Sequence, residues 1–108
     1  MNPGGADAAE LADALALTVQ RVPGVARLNA GALQEIGTYL PGRRVAGVRL
    51  PGTLTAGPDA EPVEVHVVLH PGAPVRDTAR DVHAAVAGEL ARHHVEVPVR
   101  VHVDDLAD

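Results

Sequence analysis

Six histidines stand in a chain of 108 residues, and two of them occupy the same place in matching pieces. The pieces are Val63-Glu64-Val65-His66-Val67 and Val99-Arg100-Val101-His102-Val103. Imidazole is the side chain that changes charge near neutral pH and a common nitrogen ligand for divalent metals. Side chains alternate between the two faces of a strand, so the valines take one face and the polar residues the other. If the pieces are neighbouring strands in the register their likeness suggests, Glu64 sits beside Arg100 and His66 beside His102. The first pair makes an exposed ion pair, and the second puts two imidazoles side by side. With His70 or Asp104 nearby, three nitrogen or oxygen ligands for zinc could gather there. Against this, the chain carries no tight motif such as His-Glu-x-x-His, and ligation demands geometry rather than proximity. The expectation is therefore a solvated polar face with no metal, no cofactor and no catalytic residues. His83 falls on a helix flank, and His93-His94 fall at a helix end, where they suit the negative pole of the helix dipole.

The composition removes several kinds of chemistry. Cys, Ser and Lys are absent. Disulfides, thiolate zinc sites, Ser or Cys nucleophiles, Schiff-base lysines and Walker-type phosphate loops are thus excluded. Formal net charge is −5, and Tyr39 is the single aromatic residue. Nucleic-acid binders neutralise phosphates with a basic face and stack bases on aromatic rings, so no nucleic acid is expected. A KH-like RNA module also needs a Gly-x-x-Gly loop, which the sequence lacks. The N-terminal residues carry no basic region of a signal peptide, and Leu11–Val22, the most apolar helical stretch, is short and interrupted by Asp13, Gln20 and Arg21. No direct membrane insertion and a cytoplasmic location are the expectations.

The elements that must position the polar strip follow from periodicity. Residues 1–6 read as a flexible lead-in and 7–106 as one domain. Asp7 and Glu10 have capping-box spacing, and Leu11, Leu15, Val19 and Val22 recur on one helical face until Pro23-Gly24. Val25–Leu28 suits a short strand. Ala32–Tyr39 suits a helical turn or two, with Leu33 and Ile36 inward. Arg43–Leu50 reads as a strand interrupted at Gly47, and 51–61 as a loop. Its arginines, Arg43, Arg44 and Arg49, suit strand-edge charges better than an anion patch. Pro62–His70 is the clearest strand. Pro74 opens a helix reaching about His94, with Val75, Ala79, Val82, Val86 and Leu90 as its stripe. Val95–Val103 is the last strand.

A strand, a long helix and a second strand imply a right-handed crossover between parallel strands. The piece around 43–50 pairs antiparallel with 62–70, and 25–28 lies at an edge. The predicted fold is an α+β two-layer sandwich. Two helices pack on one face of a three- to four-stranded mixed sheet, in the order α-β-β-β-α-β. The other face carries Glu64, His66, His70, Arg100, His102 and Asp104, the candidate interaction surface.

Taken in order, these pieces resemble the alkaline shock protein family, also described as envelope stress response proteins. The matching stretches are Val22–Leu28, Gly42–Arg49, Val63–Leu69 with Gly72 and the following helix, and Val99–Asp105, spanning about residues 10–106. The resemblance implies a small cytoplasmic, non-enzymatic protein linked to envelope or alkaline stress. It also implies self-association or residence beneath the membrane through a membrane-anchored protein partner. It carries over no catalytic residue, and this chain lacks the long charged tails of the best-known members. Two functional readings result: an interaction or scaffolding module using the open sheet face, and a metal- or pH-responsive binding protein using His66 and His102.

Overall fold

The computed structural model describes residues 4–52, 54 and 59–106. Helix α1 spans Gly4–Gln20 and strand β1 Val25–Leu28. A hairpin follows, with β2 at Gly37–Leu40 and β3 at Arg43–Ala46. Strand β4 is Val48–Arg49, β5 is Val63–Leu69, helix α2 is Val75–Arg92 and β6 is Val99–Leu106. The α+β sandwich is as expected: both helices pack on the sheet, against each other and over its valine face.

The centre of the sheet is β5. Its Val63, Val65, Val67 and Leu69 are fully buried, and they meet Leu11, Leu15 and Val19 of α1 and Val82, Val86 and Leu90 of α2 in one aliphatic core. Strand β6 lies parallel to β5, with Val63 opposite Val99, Glu64 opposite Arg100 and His66 opposite His102. The crossover through α2 delivers that register. A β-bulge follows Val103, because Val68 pairs with Asp105.

The other edge of β5 holds two short strands end to end. Strand β1 pairs with its C-terminal half and β4 with its N-terminal half, both antiparallel. They act as one edge strand from which the chain departs at Asn29 and to which it returns at Gly47. The backbone of His66 spans the break: its carbonyl accepts from Asn29 N at 2.8 Å and its N–H donates to Gly47 O at 2.9 Å.

Several expectations change here. Helix α1 already includes Gly4, so Asp7 lies within it rather than capping it, and residues 1–3 of the expected lead-in lie outside the described residues. Ala32–Tyr39 is not helical. Leu33 is 86% exposed, and Gly37–Leu40 pairs with β3 instead. Only Val48–Arg49 of the stretch 43–50 joins β5, because Gly47, at φ +76°, turns the chain from the hairpin into the main sheet. In α2 the stripe is shifted at its start, where Thr78 is buried and Val75 exposed. The last strand begins at Val99 rather than Val95.

The three arginines of this region are engaged. Arg43 forms a two-pronged pair with Asp13 of α1, at 2.9 and 2.7 Å. Arg44 donates to Gln34, and Arg49 to the carbonyl of Glu35 at 3.2 Å. Thr38 Oγ1 donates to Val48 O at 2.6 Å and accepts from Leu50 N at 3.1 Å, fastening the hairpin beside β4.

Candidate functional site

The outward face of β5 and β6 carries the polar strip. The imidazoles of His66 and His102 stack with ring centroids 4.2 Å apart and planes 10° from parallel. The paired register places them side by side, as the matching strand pieces imply. Their partners are less obvious. His102 Nε2 lies 2.9 Å from Glu64 Oε1, and His66 Nδ1 lies 2.8 Å from Asp104 Oδ2.

Both contacts join a residue of β5 to the residue two places beyond its direct neighbour on β6. Strand twist swings one diagonal of a ladder closer, and diagonal pairs lie within reach of long side chains. The expected Glu64–Arg100 ion pair is therefore replaced: the Glu64 carboxylate is held by His102, while Arg100 remains exposed.

A second layer supports the pair. Asn29 Nδ2 donates to Asp104 Oδ2 at 2.8 Å, while Asn29 Oδ1 accepts from Gly31 N at 3.0 Å. Asn29 was not singled out by sequence. Asn29-Ala30-Gly31 is a turn signal and by itself gives no hint of a partner 75 residues away. Burial pushes the Asp104 carboxyl up. The hydrogen bonds from Asn29 and His66 and the two imidazole charges outweigh that, so the group sits below its ordinary 3.8. Its unfolded form therefore binds a proton first as acid is added. The resulting stabilisation is complete above pH 3.8 and is lost as pH falls through the lowered value. Urea midpoints measured across the acid range should fall more steeply for the native chain than for Asp104→Asn. Equal slopes would show that Asp104 contributes nothing to acid lability.

The geometry brings together Glu64, His66 and His102, whose candidate ligand atoms all lie within 4.8 Å of one another. Neither His70 nor Asp104 is the third member. His70 stands exposed beyond the end of β5, and Asp104 backs His66 from the other side. His66 is the most covered of the group, with 13% of its side chain exposed, and its Nε2 is buried with no hydrogen-bond partner. Toward the start of the strip, Arg49, Glu61, Glu64 and Arg100 border a shallow open depression. Away from it, His93 caps α2 and contacts Glu89 at 3.1 Å.

No family model, curated protein or solved structure matches this chain. The site is therefore read from its own chemistry. No helix among the described residues is long and apolar enough to cross a membrane. A partly covered face of stacked imidazoles and two carboxylates, with an exposed arginine beside it, can bind by charge, by hydrogen bonding or by ligation.

Proposed function

We propose that the chain is a non-enzymatic interaction module that associates with a second copy of itself through β6, in the setting of envelope or alkaline stress that its family resemblance implies. That setting would place it in the cytoplasm, with a membrane-anchored protein as a further partner of the assembled form. The observation that carries the contact is the outer edge of β6. This eight-residue strand pairs with β5 alone among the described residues. Val63 N donates to Pro98 O, so in the parallel ladder the residues on either side of each direct neighbour turn their backbone groups toward β5. Val99, Val101 and Val103 then present theirs outward. Such an edge is a template for another strand.

A twofold axis through His102 satisfies the antiparallel pairing pattern and makes the contact isologous. It sets Val101 against Val103 of the second copy, and Arg100 against Asp104 of the second copy, twice. The valines of β6 are only partly covered by α2, and pairing would bury them further. Sedimentation of the native chain over a concentration series tests this, with dimerisation the expected result. Arg100→Glu sets like charges opposite each other at two places, which should weaken the dimer at least about tenfold. A chain that stays monomeric throughout, or a dimer indifferent to this substitution, would overturn the reading.

A further inference from the structure

Nothing in edge pairing requires a nitrogen of His66 to be buried without a partner. That nitrogen has its own meaning. With Nδ1–H donated to the Asp104 carboxylate, a neutral imidazole carries its lone pair on Nε2. A buried polar atom left unsatisfied is costly, and native structures rarely keep one without a reason. Carboxylate, then imidazole, then a free ring nitrogen is the order found behind metal-ligating histidines. There the carboxylate fixes both the tautomer and the ring direction. Here the carboxylate is itself fixed by Asn29.

We propose that Glu64, His66 and His102 form a binding site for a divalent transition metal of the zinc class, with Asp104 and Asn29 as positioning residues. The ligand set is two imidazoles and a carboxylate, which suits zinc in a chain that has no thiolate to offer. A tetrahedral centre with bonds of about 2.0–2.1 Å holds its ligand atoms about 3.4 Å apart. Each of the three residues offers a candidate ligand atom within 4.8 Å of the others before any ion enters, so side-chain rotation is what closure asks for. Glu64 and His102 are free to make it, being 26% and 34% exposed. The ladder holds the three Cα positions, since Glu64 and His66 share β5 and His102 lies directly opposite His66.

Entry of the ion replaces the hydrogen bond between His102 Nε2 and Glu64 Oε1 with two bonds to metal. Ligation through His102 Nε2 takes the tautomer with its proton on Nδ1, and since protons compete with metal for imidazole nitrogen, binding weakens as pH falls. Three protein ligands leave a fourth position for water, on the solvent side of the face.

The test is calorimetric titration of the untagged full chain with zinc chloride in a non-chelating buffer near neutral pH. Cobalt(II) absorption serves as a second readout of coordination. One ion per chain is expected. His66→Ala should abolish binding, Glu64→Gln and His102→Ala should weaken it severely, and Asp104→Asn should weaken it about 10- to 100-fold and alter the cobalt spectrum. A merely structural Asp104 would change stability and leave the cobalt spectrum and affinity alone. The double variant His93→Ala/His94→Ala, which lies away from the strip, should bind as the native chain does. If His66→Ala fails to fold, the Glu64 and His102 variants decide the matter, since both side chains are partly exposed. No binding at micromolar zinc, binding indifferent to all three ligand substitutions, or loss of binding in the His93/His94 variant would overturn the proposal.

Discussion

Gly47→Ala is expected to destabilise the fold by about 2–4 kcal/mol, where Gly42→Ala costs only about 1–2 kcal/mol. Both glycines sit in the left-handed region, at φ +76° and +79°. An alanine at either position takes on the same backbone strain. Their surroundings differ. A Cβ at Gly42 meets nothing within 4 Å, whereas one at Gly47 would stand 2.7 Å from Leu28 Cβ and 3.1 Å from Asn29 N and His66 O. None of those atoms is the tip of a flexible side chain. Relief must come from the backbone at the place where the excursion rejoins the sheet. The difference between the two variants therefore isolates the close approach from the strain. Urea denaturation of the pair measures it, and equal losses would mean that the junction yields easily.

The same substitution should be felt at the site. His66 N donates to Gly47 O, and Asn29 N donates to His66 O. Pushing Leu28 and Asn29 away from Gly47 moves both anchors of the His66 backbone, and with them the Asn29 side chain behind Asp104. If Gly47→Ala still folds, it should also loosen the imidazole stack. The edge junction and the polar strip are thus two faces of one construction.

Much of that construction was legible in the residues. Strands β5 and β6 announce themselves through alternate valines, and their shared pattern fixed the register that places His66 opposite His102. The α2 stripe was readable because Val82, Val86 and Leu90 recur at helical spacing and are all buried. The excursion from 29 to 47 was not readable in the same way. Its strands are four residues long with one buried residue each, so no apolar period marks them. What holds them are single contacts without a periodic signature: Thr38 on β4, Arg44 on Gln34, Arg43 on Asp13. The partners within the site were missed for a different reason. Pattern gives the direct neighbour across a ladder, Glu64 beside Arg100. Twist decides which diagonal closes, and it chose His102 for Glu64 and Asp104 for His66.

Leu15→Ala is expected to cost about 3–5 kcal/mol, out of about 5–15 kcal/mol for a domain of this size. Leu15 is fully buried at the centre of α1, and Leu17, two residues on, is 49% exposed. Leu17→Ala should stay within about 0.5 kcal/mol of the native chain, as surface changes do. The core explains why the buried loss belongs in the upper part of its range. It holds no Phe or Trp, and its bulk is valine around a few leucines. A valine has one strongly preferred χ1 rotamer and no further carbon to swing, so neighbours such as Val19, Val65 and Val86 cannot fill the space left behind. A cavity that cannot collapse retains its full penalty. Thermal or urea unfolding of the two variants checks this. A loss for Leu15→Ala as small as that for Leu17→Ala would mean that α1 is dispensable to the sandwich. It would also mean that the valine face of β5 can open to solvent. The sheet would then have two available faces, and the polar strip would lose its standing as the side turned to partners and ions.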